Sequence, residues 1–451
     1  MSLAASKGGI YGKENDIIGE NINIVRQWLS VGQKQINSYQ LYQLLRTKSR
    51  PIQLEIGIGN TCGLECKHCF LGYESGAMSS PLIPMPILLN TVTKMVEKMG
   101  TRLIAVTDRD ALIPQRSIPF FEHLAKLRTQ YSQIKIGGVT NGLTIDKYAD
   151  DLERIKLDYL DISLDGLRGE HDKIRGEGKF DLTLKNLKIA LNRQLAERVI
   201  VATTLHRFND DSVIRLIHKL IIEEGVQWFD IGPLMAVKMQ KYQLQQRDIV
   251  DFLDTLSQSL APVKISKSVT IFIEICAYCA AFIPALIDSG WLIPENIRQD
   301  EYGHLYQNIS INESITITLR PELIPEYWRH TLRISSDGYV IGGCEPLTQR
   351  YYSQMAISNI QWEDIENIYL KALEINSPFY HAIMSYDQSK CRDKACFAHC
   401  LGGDAFLAKS VYNDYNLKDP NCTWDEYQYQ NVLNQKKDST FYKVLQNSPI
   451  K

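Results

Sequence analysis

The stretch Ile52-Gln-Leu-Glu-Ile-Gly-Ile-Gly-Asn-Thr-Cys62-Gly-Leu-Glu-Cys66-Lys-His-Cys69 joins a short apolar run to three closely spaced cysteines. Alternation of Ile52, Leu54, Ile56 and Ile58 reads as a β-strand. The cysteines then stand on the loop that leaves it, spaced C-x3-C-x2-C. Such spacings let one short loop fold three thiolates around a single centre, and Gly63 supplies the backbone freedom for the wrap. Three thiolates serve three irons of a four-iron cluster and leave the fourth iron open to a substrate or cosubstrate. A structural zinc with His68 as fourth ligand is the alternative. His68 lies directly between Lys67 and Cys69, an awkward place for a closed tetrahedral site.

Downstream, short apolar runs alternate with amphipathic ones. Strands are predicted at Ile52–Ile58, Arg102–Thr107, Ile134–Val139, Tyr159–Leu164, Val199–Leu205 and Trp228–Ile231, with helices near 86–99, 117–131, 145–155, 180–196 and 210–224. Six strands alternating with helices imply βα units and a parallel sheet, open or curled into a full or partial barrel. Residues 1–50 read as a polar helical segment with an apolar stripe through Ile24, Trp28, Leu41 and Leu44. Residues 241–330 read as an irregular bridge. The apolar run Val269–Ile287 contains Glu274 and Pro284, and is expected to be buried core rather than a membrane span. From Thr331 a strand, the turn Ser336-Asp337-Gly338 and a second strand form a predicted hairpin leading to Cys344. Residues 331–430 are expected to form a smaller cysteine-bearing domain, and 431–451 a tail.

The 451 residues carry 50 basic and 52 acidic side chains, a net charge of −2. This balance gives no footprint for nucleic acid, and the 44% hydrophobic content excludes global disorder. The start of the chain lacks the apolar core of a signal peptide, so a reducing cytoplasm is the expected compartment. There, ten clustered cysteines read as metal ligands before disulfides.

The cysteine triplet, Thr140-Asn141-Gly142, Ile162-Ser163-Leu164-Asp165-Gly166 and the run His171-Asp-Lys-Ile-Arg175-Gly176-x-Gly178-x-Phe180 fall in order at successive predicted strand ends. This succession resembles the radical S-adenosylmethionine (SAM) enzymes, and in particular those with a C-terminal SPASM or twitch domain. The resemblance covers residues 51 to about 235. It implies an α/β fold: a partial (β/α)6 TIM-like barrel over 51–240, followed by an α+β domain for auxiliary iron–sulfur clusters. It further implies that Cys62, Cys66 and Cys69 hold a 4Fe–4S cluster whose free iron binds SAM. Phe70 is expected near the adenine, and Ser163 and Arg175 at the ribose or carboxylate. The second strand ends Thr107-Asp108-Arg109-Asp110 rather than in the family's glycine-glycine-glutamate element. Asp108 or Asp110 is therefore the expected carboxylate for SAM's amino group.

The remaining cysteines are Cys276, Cys279, Cys344, Cys391, Cys396, Cys400 and Cys422. Cys391-x4-Cys396-x3-Cys400-Leu-Gly-Gly-Asp is similar to a SPASM element without its usual opening spacing. One or two auxiliary iron–sulfur clusters are expected: by order, Cys276, Cys279, Cys344 and Cys400 complete one, and Cys391, Cys396 and Cys422 would form a second with one ligand missing or not a cysteine. A zinc site, or Cys276 and Cys279 as core thiols, are the alternatives. Glu345 corresponds to an acidic residue that acts as a base in related peptide-oxidising enzymes. The resemblance implies oxidative modification of a ribosomally made precursor peptide, with a flavodoxin- or ferredoxin-type electron donor and a separate peptide-carrier protein as partners. A small molecule such as an aminocyclitol or sugar is the competing substrate, and an inactive iron–sulfur scaffold the non-enzymatic alternative.

Overall fold

The computed structural model describes residues 38–48, 50–69, 81–107, 109–234, 240–322, 330–342, 356–394, 400, 402–419 and 422. Phe70, Asp108, Cys344, Glu345, Cys396, the segment 1–37 and the tail 431–451 lie outside the described residues.

The cysteine loop follows β1 (Gln53–Gly57), the strand expected from the alternating run. Next come β2 (Leu103–Thr107), β3 (Lys135–Thr140), β4 (Leu157–Ser163), β5 (Ala196–Leu205) and β6 (Trp228–Pro233). These six pair in parallel, each beside its sequence neighbour. Helices connect them: α2 (Met85–Lys94), α3 (Ser117–Gln130), α4 (Ile145–Ile155), α5 (Arg168–Arg175), α6 (Lys179–Arg193) and α7 (Asp210–Lys219); α1 (Ser38–Lys48) precedes β1. Their buried faces follow the helical period, as in α4, where Ile145, Ala149, Leu152 and Ile155 point inward. Fully burying side chains such as Leu54, Ile56 and Leu88 stabilises the fold by about 1.5–3 kcal/mol each. Both α2 and α7 loosen into a π-helical turn that stops at a glycine in the left-handed region, Gly100 (φ +78°) and Gly225 (φ +66°).

The parallel sheet does not end at β6. After α8 (Gln246–Leu260), the apolar run Val269–Ile287 supplies β7 (Val269–Ile275) and the short helix α9 (Ile283–Asp288). It is buried, as expected, but its first part is a strand parallel to β6. After β8 (Arg298–Gln299) and β9 (Leu305–Ser310), β10 (Ile315–Pro321) lies parallel to β7. The predicted hairpin forms β11 (Thr331–Ile334) and β12 (Tyr339–Gly342), and β11 pairs in parallel with β1 at the other edge. With β13 (Ser358–Asn359), the order among the described residues is β13-β12-β11-β1-β2-β3-β4-β5-β6-β7-β10-β9-β8. The curved sheet stays open: a partial barrel, extended at both edges by strands from the C-terminal half.

Helices α10 (Ile365–Ala372), α11 (Pro378–Met384) and α12 (Ala405–Tyr412) complete the described chain. Helix α1 docks on this end. The Tyr42 hydroxyl donates to the Leu373 carbonyl at 2.7 Å, and its ring meets Tyr380 edge-on at 4.9 Å. No described helix is long and apolar enough to cross a membrane.

Candidate active site

The loop after β1 brings Cys62, Cys66 and Cys69 to the C-terminal mouth of the sheet, all half-buried and all lining one cavity. A turn between Cys69 N–H and the Cys66 carbonyl (3.0 Å) tightens the loop, and Lys67 N–H ties it to the Ile174 carbonyl (3.0 Å). Asn141, from the end of β3, donates its amide to Cys62 Sγ at 3.5 Å. Its own side-chain oxygen accepts from Leu143 N–H, which fixes the direction in which the amide points. Burial pushes the Cys66 thiol up to about 11, against the opposing charge of Arg175. Such a thiol ionises only beside strong positive charge, as at a metal centre. Among the described residues no three His, Cys, Asp or Glu side chains converge on one metal ion. The His68 ring faces Asp165 instead, with Nε2 3.8 Å from Oδ2, and burial pushes it down to about 4 despite that carboxylate.

The Arg175 side chain is 10% exposed and lines the cavity. Asp165 grips it through Nε and, at 3.2 Å, through a second nitrogen, leaving Nη1 4.0 Å from Cys66 Sγ. Burial opposes the charge on both partners, but each holds the other ionised: Asp165 stays well below the usual carboxylate range and Arg175 above its own. Asp165 is held in turn by Thr204 N–H at 3.0 Å. Sequence reading nominated Arg175 but missed the carboxylate that aims it, although Asp165 stands in the quoted Ser-Leu-Asp-Gly motif. Ser163, at the end of β4, is buried and lines the cavity as expected.

Asp110 behaves differently. Its carboxylate accepts from Leu112 N–H (2.8 Å), the Thr140 hydroxyl (2.8 Å) and Asn141 N–H (3.4 Å). Burial nevertheless pushes it up to about 6. The carboxylate thus ties its own loop to the end of β3 and braces Asn141. At this strand end the buried Thr107 hydroxyl, like His68 Nδ1, has no hydrogen-bond partner among the described residues, and both side chains line the cavity. Unpartnered polar atoms at the mouth fit a polar cosubstrate such as SAM.

The cavity, about 660 Å³, runs from the cysteine loop down through the sheet's concave interior. Its wall carries nine acidic and six basic side chains. Asp161, Asp230 and Glu274 point into it from β4, β6 and β7, and Arg320 of β10 pairs with Glu274 at 2.9 Å. Sequence reading missed all four.

Of the C-terminal cysteines, Cys276 stands at the end of β7 on the cavity wall, half-buried, and Cys279 one turn on is fully buried. Burial raises the Cys279 thiol well above its usual range, with Asp419, Glu322 and Asp404 adding to the shift. Asp404 and Asp419 belong to the segment that carries Cys400 and Cys422, whose N–H donates to the Asp419 carbonyl at 2.9 Å. The fold therefore draws the 276–279 turn and the 400–422 segment together. Cys391 is half-buried in a turn with Lys394.

Residues 56–220 match the Radical SAM superfamily. The GTP 3',8-cyclase of Heliobacterium modesticaldum is 23% identical over 215 residues, 44% of this chain and 63% of that protein, so the match spans under two thirds of that relative. Among solved structures, Streptococcus suis SuiB bound to its precursor peptide SuiA superposes with a TM-score of 0.61 at 15% identity, covering 86% of this chain and 79% of that one. The anSMEcpe enzyme with bound AdoMet (SAM) gives 0.57 at 16%, covering 88% and 100%. The two structures share the fold, and residues 56–220 form a domain that matches the Radical SAM superfamily and carries the cysteine triplet and the strand-end motifs.

Proposed function

We propose that this protein is a radical SAM enzyme that oxidatively modifies a ribosomally made precursor peptide. Cys62, Cys66 and Cys69 would hold a 4Fe–4S cluster, and Thr107, Ser163 and Arg175 would bind SAM around it. When bound, the cluster and SAM supply a carbon-centred radical that abstracts a hydrogen atom from the substrate. The chain's own residues do the rest. Arg175, locked by Asp165, offers a fixed cation to a carboxylate. Asn141 steadies a cluster sulfur. The concave interior keeps water from the reacting carbon and fixes its position. Cys276, Cys279, Cys400 and Cys422 support at least one auxiliary cluster; with Cys344, Cys391 and Cys396 a second is proposed, and Glu345 is the proposed base beside it.

The observation that carries the substrate assignment is the acidic lining of the cavity, nine acidic side chains against six basic ones, with ionisation of Asp161 and Asp230 disfavoured by burial. A nucleoside triphosphate, the substrate in the curated relative's name, brings several negative charges that this wall repels. A peptide side chain entering from the mouth does not. The test is anaerobic incubation of reconstituted protein with SAM, dithionite and a precursor peptide encoded beside its gene. A mass change in the peptide together with 5′-deoxyadenosine is expected. Deoxyadenosine with the peptide unaltered, and an aminocyclitol turned over instead, would reverse the choice of substrate.

A further inference from the structure

Asp161, Asp230 and Glu274 each stand between apolar neighbours on a central parallel strand, in the sequences Leu160-Asp161-Ile162, Phe229-Asp230-Ile231 and Ile273-Glu274-Ile275. The period of two turns the apolar residues into the sheet–helix core and the three carboxylates into the cavity. Asp161 lies two residues below Ser163 on β4, about 7 Å deeper than the strand end. Asp230 pairs with Ala202, the partner of Ser163, and with Phe272, two residues before Glu274. The three are near enough that Asp161 and Glu274 both disfavour ionisation of Asp230.

Arg320 of β10 faces this belt. Arg320 is committed to Glu274 at 2.9 Å, and its guanidinium lies over the Phe272 ring at 3.8 Å. Glu322 adds further negative charge at Asp230, and Arg333 on the opposite wall belongs to Glu55 at 3.5 Å. Asp161 is 9% exposed, and its Oδ1 is buried with no hydrogen-bond partner among the described residues. Burial and Glu274 push its carboxyl up to about 7. An unpaired buried carboxylate is costly, and a purely structural interior gains nothing by keeping it. Among the described residues no three donors converge here on a point, which is what a metal ion demands.

We propose that Asp161, Asp230 and Glu274 form a subsite for a cationic substrate group, an ammonium or guanidinium such as the end of a lysine or arginine side chain. The charged end would seat beneath the cysteine loop, so that the carbons behind it lie toward the mouth, where hydrogen abstraction takes place. This rests on the reading of the cavity as substrate space, and it deepens that reading by naming the chemistry that is recognised.

The test uses the full-length, cluster-loaded protein with SAM and no reductant, so that binding is read without turnover. Nα-acetyl-lysine N-methylamide is compared by ligand-observed NMR with the corresponding 2-aminoheptanoic acid derivative, in which a methyl group replaces the ammonium. The lysine analogue is expected to bind at least about tenfold more tightly, as hydrogen bonds to a charged group imply. In the D161N/D230N variant, checked for fold by circular dichroism, the ratio should fall to about one. Equal binding of the two analogues to the wild type, or no binding of either, overturns the proposal whether or not the variant folds. A preference that survives in the variant also overturns it. SAM cleavage is assayed separately: cleavage without lysine preference removes the subsite alone, and preference without cleavage removes the enzymatic reading alone.

Discussion

Replacing Asp161 by asparagine tests whether the interior carboxylates are held against their own electrostatics. In the folded chain burial first, and then Glu274, raise the Asp161 carboxyl from 3.8 to about 7. The unfolded chain releases this proton near the ordinary value, so between these values the folded state binds the extra proton. Stability from this group therefore falls as pH rises from about 4 to 7. A little over three units at 1.36 kcal/mol each gives on the order of 4 kcal/mol as the ceiling. Proton sharing with Asp230 reduces what one substitution recovers. The asparagine amide cannot ionise, so the variant lacks this loss. Thermal melts at pH 5 and pH 8 should show D161N close to wild type at the lower pH and several degrees more stable at the higher. A variant less stable than wild type at both pH values would refute the reasoning, because Asp161 would then have a compensating partner.

Other consequences follow from single contacts. Asp165→Asn should weaken SAM binding about tenfold or more by freeing Arg175, measured by equilibrium dialysis, and Arg175→Lys should not substitute for the bidentate guanidinium. Asn141→Ala should keep its iron but lower the potential of the SAM-site cluster in a redox titration, since it removes a donor to Cys62 Sγ. At Gly403 (φ +88°) an added Cβ would lie 2.2 Å from the Asp419 side chain. Gly403→Ala should therefore cost about 1–3 kcal/mol, seen as a lowered melting temperature.

The strand-and-loop grammar of residues 51–231 was legible because each strand alternates or runs apolar and each connection carries a helical period. β7 was not legible as a strand: Val269–Ile275 continues straight into the equally apolar Phe282–Ile287, and one unbroken run masks a strand, a turn and a helix. That β11 joins β1 is a pairing between residues nearly 280 positions apart (Gln53 with Thr331), which no local pattern carries. At the site, the cysteines and Arg175 were visible as motif residues. Asp110 looked like a ligand by type; in the fold its carboxylate accepts from Leu112 of its own loop and from Thr140 and Asn141 at the end of β3. The interior acids did leave a signal. A carboxylate between two large apolar residues, repeated on three strands of a sheet buried on both faces, has no solvent to point at.

The most direct measurement is 5′-deoxyadenosine release from SAM by anaerobically reconstituted protein with dithionite, run beside iron counts on wild type and the C62A/C66A/C69A variant. The predicted result is release by the wild type alone, with the variant lacking about four irons while retaining others. Wild-type protein that carries a full complement of iron yet leaves SAM intact, or a triple variant that loses no iron, would contradict the assignment of the cysteine loop.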